Sequence, residues 1–228
     1  ASRGLGDVYK RQASLIELKQ QMQENATAAA ALAKATADKK TEKYDSQDEL
    51  YDAKIDNATS AKSKNKLIDK KISNINKTQK AYNTAVSTDN KNLKSAKKTI
   101  SKFKSTSENK KILASIKKAA KSGKRISQSL LNKASNLNDN GKLYNACVQY
   151  NAYWDAKQSD KATADLYKET AKQDKADLAK EKFDNISSDY DNKISSNEQK
   201  KTALNNKISL AQEQGKQISA AYYKSLIS

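Results

Sequence analysis

Residues that interrupt helices are almost absent from this sequence. It contains no proline and only five glycines in 228 residues, whereas Ala, Lys, Gln and Leu, which favour helices, are abundant. Two of the glycines, Gly123 and Gly141, fall in one stretch, residues 105–141, that also carries helix-capping patterns. The sequence therefore predicts an all-α protein in which long helices are interrupted mainly at this stretch, which we call the elbow.

The first half of the elbow has the pattern of a short helix with a defined start and end. Ser105 precedes Glu108 by three residues, the spacing of a capping box, so we expect a helix to begin near Thr106. Gly123 can adopt the left-handed conformation that ends many helices. These signals predict one short helix before Gly123.

A second start signal follows directly. Ile126 and Ser127 resemble the hydrophobic residue and N-cap that open a helix, so the elbow is predicted to hold two short helices. The pattern Gly-Lys-x-Ile-Ser recurs at Gly215–Ser219. We therefore expect a second joint there, ending a long helix over residues 142–214 and starting a further helix, cut short, over residues 219–228.

The sequence before the elbow, residues 13–104, reads as one long helical arm. Nine of eleven positions in steps of three and four are apolar, which is typical of a coiled-coil seam. Gln79 and Asp89 are the polar exceptions; either they fix the register of the pairing or the helix breaks near 87–89. The seam positions are Ile68, Ile72, Ile75, Gln79, Tyr82, Val86, Asp89, Leu93, Ala96, Ile100 and Phe103.

The second arm, residues 142–214, has a comparable stripe in its far half. A helix of this length spans roughly 110 Å and needs a partner along its length. We therefore expect the two arms to fold back on each other as an elongated, antiparallel, coiled-coil-like hairpin about the elbow. The stripe consists of Phe183, Ile186, Tyr190, Ile194, Asn197, Lys201, Leu204, Ile208 and Ala211.

Composition supports thin helical packing over a globular interior. Leu, Ile, Val and Phe together number only 36 of 228 residues, and the net charge is +18. Such a chain can bury a narrow seam between helices but not a thick core. Most of the charge lies in residues 90–138, which hold fourteen basic side chains and one acidic side chain, Glu108.

The basic elbow is the one candidate binding surface. Clustered lysines are either a solubilising surface or a contact for phosphate groups and other polyanions, bound weakly and without sequence preference. The candidate contact residues are Lys110, Lys111, Lys117, Lys118, Lys121, Lys124 and Arg125.

Catalytic, metal and cofactor sites are not expected. The chain has no histidine and one cysteine, Cys147, which we interpret as a core residue. No glycine-rich phosphate loop is present, and carboxylates such as Asp45 and Asp48 lie at helical spacing among lysines. No run of 18 apolar residues suggests a membrane span within this sequence. The sequence therefore predicts a protein that is not an enzyme.

Residues 1–12 differ from the rest. They contain a Gly-Leu-Gly and resemble a translated sequencing adapter of the kind found in metagenomic assemblies. We therefore exclude them from the fold prediction as a non-native tail. The sequence has no initiator methionine, and we expect it to be an internal piece of a longer protein.

Several stretches after residue 68 resemble the helical central region of phage tail tape measure proteins. They are LYNACVQYNAY (143–153), TADL (163–166), KFDNISSDYDNKI (182–194), SAAYYKSLI (219–227) and the elbow itself. The resemblance, to proteins of gut Firmicutes-type phages or prophages, implies a structural virion protein, made in the bacterial cytoplasm, that occupies the tail lumen and sets tail length. Its implied partners are other copies of itself and tail-tube or tail-assembly proteins, with no membrane contact in this segment.

Two other functions remain open from the residues alone. The chain could be a coiled-coil scaffold of a bacterial surface or secreted protein. It could also be a basic helical protein that binds nucleic acid, which the charge of the elbow favours.

Overall fold

The computed structural model describes the backbone of residues 2–227 and the side chains of residues 6–217, 219–222 and 224–225. Over that range the chain forms five α-helices and no strand, which confirms the all-α class. The helices are α1 (Ser2–Asp56), α2 (Ala61–Lys102), α3 (Lys110–Lys121), α4 (Gln128–Ser135) and α5 (Lys142–Ile227). The chain divides into two compact units: unit 1 holds Ala1–Leu50 and Lys71–Lys175, and unit 2 holds Tyr51–Lys70 and Ala176–Ser228.

The predicted first arm is two helices, which corrects the prediction of one arm over residues 13–104. α1 begins at Ser2, within the adapter-like stretch, and ends at Asp56. After it, the Ala58 amide donates to the Ile55 carbonyl at 3.1 Å, and the Ser60 hydroxyl accepts from the Ser63 amide at 3.2 Å as the N-cap of α2. The chain is therefore interrupted at 57–60.

The break predicted near 87–89 is wrong, because α2 is continuous there. The polar side chains that suggested a break are used within the helix and its packing. The Thr88 hydroxyl donates to the Thr84 carbonyl at 2.9 Å, and Asp89 is fully buried. The alternative, that Gln79 and Asp89 fix the register of the pairing, stays a prediction.

In unit 1, α1 and α2 pack against each other in opposite directions. Asn74 of α2 donates to Asp48 of α1 at 2.7 Å. Further along, Ala37 of α1 packs with Ala81 and Ala85 of α2. Residue numbers thus rise along one helix as they fall along the other, and the alanines allow close approach of the two backbones.

The same part of α2 also pairs antiparallel with α5. Tyr82 and Tyr167 lie with ring centroids 5.4 Å apart, and the Gln79 amide donates to the Ala164 carbonyl at 3.2 Å. Asp89 lies against Asp160. Unit 1 is therefore built on three helices, α1, α2 and α5, where two arms were predicted. The elongated shape of the whole hairpin stays a prediction.

All eleven predicted seam positions, ten on α2 and Phe103 just past its end, are buried or half-buried. A second buried row, which the prediction omitted, carries Asn74, Thr78, Ala81 and Ala85. The second row is required because α2 contacts two helices in unit 1 and so must bury two faces.

The largest core of unit 1 lies where α2 ends and α3, α4 and the start of α5 meet. Ile100, Leu113, Ile116, Leu131 and Leu143 are all at most 3% exposed in this cluster. α3 and α4 are short and have one apolar face each, so their burial against α2 and α5 provides the stability that short isolated helices lack.

The elbow contains two short helices, with one predicted cap replaced. α3 begins at Lys110, and its N-cap is Asn109, so the expected Ser105–Glu108 capping box and start near Thr106 are wrong. Instead, Thr106 and Asn109 bond reciprocally: the Thr106 amide donates to Asn109 Oδ1 at 2.8 Å, and the Asn109 amide donates to Thr106 Oγ1 at 3.2 Å. The reciprocal bonding of a capping box therefore joins Thr106 and Asn109, one residue later than the predicted Ser105 and Glu108.

The turn between α3 and α4 has the geometry that its sequence predicts. Gly123 has φ +69°, its amide donates to the Ala120 carbonyl at 3.2 Å, and the Lys124 amide donates to the Ala119 carbonyl at 3.0 Å. These two bonds are those of a Schellman motif. Ser127 then caps α4 by accepting from the Leu130 amide at 3.3 Å.

The helix end predicted at Gly215 is wrong, because α5 continues without interruption to Ile227. Gly215 is an interior helical residue, and a Cβ there would meet nothing within 4 Å. No described side chain packs around it to hold a turn, so the helix continues at the modest cost of one glycine. The separate helix predicted over 219–228 is therefore part of α5 as far as Ile227, and Ser228 lies outside the described residues.

In unit 2, α2 contacts α5 at Lys182 and Asn185. Asn65 accepts from Asn185 at 3.0 Å and donates to the Lys182 carbonyl at 3.1 Å, and Lys182 pairs with Asp69 at 2.5 Å. The predicted stripe on α5 is solvent-exposed both beside these contacts and beyond them, with Phe183 68% and Ile194 55% exposed. The prediction that this stripe packs on the first arm is therefore wrong.

Candidate polyanion-contact surface

The lysines of α3 share one face of the helix. Leu113, Ile116 and Ala120 are buried and fix the orientation of α3. Because successive residues advance by about 100°, the five lysines of α3 fall within about 120° of one another, beside the buried face. They are Lys110, Lys111, Lys117, Lys118 and Lys121.

Contacts from α5 hold the turn that follows α3. The Trp154 indole donates to the Gly123 carbonyl at 2.9 Å, and the Tyr150 hydroxyl donates to the Lys124 carbonyl at 3.0 Å. Asn151 accepts from the Ile126 amide at 2.9 Å and donates to the Ile126 carbonyl at 2.8 Å. These bonds satisfy the buried backbone groups of the turn and fix where Lys124 projects.

Two of the seven predicted contact residues have structural partners. The Lys117 ammonium donates to the Phe103 carbonyl at 2.7 Å, just past the end of α2. Arg125 forms a two-pronged ion pair with Asp155 of α5, with N–O distances of 2.9 to 3.2 Å. The bonds with Asp155 raise the pKa of Arg125. Both cations therefore join the elbow to neighbouring helices.

Outside the predicted set, Lys97 has a similar structural role. Its ammonium donates to the Lys121 carbonyl at 3.0 Å, at the C-terminal end of α3. A cation there is favourable because the last carbonyls of a helix carry partial negative charge. Part of the positive charge of residues 90–138 thus stabilises helix ends.

Five predicted residues remain available to an anion. Glu108, the one acid in the basic stretch, accepts from the Asn138 amide at 3.2 Å. Among the described residues no carboxylate is ion-paired with these five, all of which are exposed. The available surface consists of Lys110, Lys111, Lys118, Lys121 and Lys124. Exposed ammonium groups of this kind contact phosphates without reading sequence.

Sequence reasoning missed the residues that position the surface. Asn151, 3% exposed, holds both backbone groups of Ile126, and Asp155 engages Arg125 across 30 positions of sequence. The only sign of this role in the sequence is that polar residues are interspersed in the aromatic window Tyr144–Trp154. We interpret that window as packing.

Cys147 is a core residue, as predicted. It is fully buried, and burial together with nearby Asp139 raises the pKa of its thiol to about 12. The thiol therefore stays protonated at neutral pH and is a poor nucleophile.

Among the described residues, no three His, Cys, Asp or Glu side chains are placed to hold a metal ion. Within the same range, none of the helices has a stretch that is both long and apolar enough for a membrane crossing. The chain matches no protein-family model, no curated protein and no solved structure.

Proposed function

We propose that this chain is a structural segment of a phage tail tape measure protein, which occupies the tail lumen and sets tail length. The observation that carries the proposal is α5, a single helix of 86 residues. At a rise of 1.5 Å per residue, it spans about 129 Å. A continuous helix converts residue number into distance with a fixed ratio, which is what a length-setting protein requires.

The exposed half of α5 supports a role in assembly. Every described side chain from Tyr190 onward is exposed, and these include Ile194, Leu204 and Ile208. A helix in water without packing is only marginally stable. This part of α5 is therefore suited to being covered by another chain, such as a second copy or a tail-tube protein.

The segments that resemble tape measure proteins are concentrated on this helix. Residues 143–153, 163–166, 182–194 and 219–227 all lie within α5. A coiled-coil scaffold of a surface or secreted protein would use the same helix, so the decisive test concerns length.

The test is an in-frame change of α5 length in the virus that carries this gene. Residues 187–222 follow Asn185, which bonds to Asn65 of α2, and these 36 residues make ten full helical turns, so the phase of the helix is kept. Deleting them is expected to shorten the tail by about 54 Å, and duplicating them to lengthen it by about 54 Å.

A matched control replaces the same 36 residues by a shuffled sequence of equal length. Tails of the shuffled variant should keep the wild-type length in electron micrographs. Unchanged tails after both deletion and duplication would refute the length-setting role and favour the surface-scaffold function.

The exposed lysines of the elbow favour a second function, weak polyanion binding. If all five contact duplex DNA, raising the salt from 50 to 200 mM lowers the association constant by about 500-fold. Filter binding to a duplex of unrelated sequence at several salt concentrations tests this. A salt dependence that is unaltered by replacing the five lysines with glutamine would refute it.

A further inference from the structure

An open cavity of about 480 Å³ lies between α1 and α5 in unit 1. Five of its eleven lining residues are alanines, Ala30, Ala31 and Ala35 from α1 and Ala152 and Ala156 from α5, and the other six are polar or charged. Small side chains leave the space between these helices unfilled. The volume is within the range of sites for small molecules.

A buried carboxyl pair adjoins this cavity. Asp160 of α5 lines the cavity and is 4% exposed, and Asp89 of α2, which is 0% exposed, lies against it. No donor among the described residues reaches either oxygen of Asp89 or Oδ2 of Asp160. Three buried carboxyl oxygens therefore lack a donor from the protein.

The charged groups that face the pair do not neutralise it. From α1, Lys34 approaches Asp160, but its ammonium lies 2.6 Å from Asp38 Oδ2. From α5, Asp155 also lines the cavity and is paired with Arg125. When the two carboxyls share one proton, the pair carries one negative charge. That charge has no counter-ion of its own.

Burial of such a charge is unfavourable unless a cation pairs with it. Burial and the contact with Asp160 raise the pKa of Asp89 to about 7, and burial also raises the pKa of Asp160. The Asp89 carboxyl thus loses its proton near neutral pH, which leaves a buried negative charge.

We propose that the cavity binds a primary alkylammonium ion, with its carbon chain on the alanine walls and its ammonium donating to the Asp89–Asp160 pair. An ammonium can donate three hydrogen bonds, and Asp160 Oδ2 is a buried acceptor without a donor on a residue that lines the cavity, with Asp89 directly behind it. A divalent metal fits poorly, because Ca²⁺ and Mg²⁺ take six or more oxygen ligands. A free amine and a lysine side chain of a second copy carry the same chemistry.

The test is a calorimetric titration of the purified chain with n-butylamine and, as a neutral control of similar size, n-butanol. At pH 7.5 only the amine should bind. Because the bound cation displaces the shared proton, the association constant should rise with pH below about 7, by at most about tenfold per pH unit.

Two substitutions locate the site. Asp160→Asn should weaken amine binding by at least about tenfold, since it removes a charged hydrogen-bond partner. Ala156→Leu should block binding by filling the cavity, whereas Ala162→Leu on the exposed face of α5 should leave it unchanged. Circular dichroism verifies that each variant is folded.

Equal heats from the amine and the alcohol would overturn the proposal. So would amine binding that persists in both Asp160→Asn and Ala156→Leu. Sedimentation of the wild type separates the two sources of ammonium. A monomer that binds the amine indicates a free ligand, and an oligomer that the amine dissociates indicates a lysine of a second copy.

Discussion

Replacing Asp89 by asparagine tests the physical account of the buried carboxyl pair. In the wild type, Asp89 can bond to Asp160 only if one of the two holds a proton, because both are acceptors when ionised. An asparagine has nearly the same shape, and its amide can donate to the Asp160 carboxylate at any pH. The substitution therefore removes the need for the proton and keeps the packing.

The magnitude follows from the pKa of Asp89, which rises from 3.8 to about 7 on folding. The folded chain keeps a proton that the unfolded chain releases within this window. The contribution of Asp89 to the free energy of unfolding is therefore greatest below pH 3.8, falls as the pH rises to about 7, and is constant above that. The total fall is on the order of 4 kcal/mol.

Urea unfolding at pH 4, 5, 6 and 7.5, followed by circular dichroism, measures the effect. The free energy of unfolding of Asp89→Asn should increase relative to that of the wild type as the pH rises. Between pH 4 and pH 7.5 this difference should increase by about 4 kcal/mol. Asp165→Asn, at an exposed ion pair with Lys161, is the control and should show a difference under about 1 kcal/mol throughout. A difference between Asp89→Asn and wild type that is the same at all four pH values would refute the reasoning.

Three further outcomes can be measured on the purified chain. In thermal unfolding, Gly123→Ala should destabilise the chain by about 1 kcal/mol or more because φ there is +69°. Gly215→Ala, in a helix interior, should stabilise the chain by up to about 1 kcal/mol. Stability changes of the same sign in the two variants would contradict this. In urea unfolding, Ile68→Ala should cost about 3 kcal/mol because Ile68 is fully buried, whereas Ile194→Ala should cost under about 0.5 kcal/mol, and equal losses would mean that the exposed stripe is packed. Replacing the five available lysines of the elbow with glutamine should abolish retention on heparin in 50 mM salt, and unchanged retention would place polyanion binding elsewhere.

The turn motif at two sites shows how far local sequence predicts structure here. Gly-Lys-x-Ile-Ser forms a Schellman turn at Gly123–Ser127 but lies inside a helix at Gly215–Ser219. At the first site Asn151 and Trp154 of α5 bond to the turn, and Ile126 is buried in the core. At the second site no described side chain supplies such partners. The motif permits a turn, and neighbouring helices decide whether it forms.

The break between α1 and α2 could have been predicted. Asn-Ala-Thr-Ser at 57–60 is a cluster of turn-forming residues, and Ser60 lies three residues before Ser63, which bonds back to it. If residues 13–104 are taken as one arm, the apolar pattern of α2 accounts for only one packed face of that helix. The second buried row of α2 follows only once α1 is known to return along it.

For the candidate surface, the sequence predicts which residues are basic but not which are available. Whether Lys117 and Lys97 are engaged depends on where α2 and α3 expose their last carbonyls. The engagement of Arg125 depends on the register of the elbow against α5, which brings Asp155 to it. These are properties of tertiary packing, so the split into structural and available cations required the structure.

The two apolar stripes, on α2 and on α5, differ in what they establish. Positions 68–103 of α2 are buried because α1 and α5 lie beside them within the chain. Positions 190–211 of α5 have the same spacing, yet all are exposed. A stripe specifies which face of a helix can pack, but the partner must come from elsewhere. Burial of Ile194, Leu204 and Ile208, which are about half exposed, would contribute about 1 kcal/mol each, enough together to stabilise a helix that is marginal alone. Pairing with a second chain would therefore supply stability that this half of α5 lacks in the free protein.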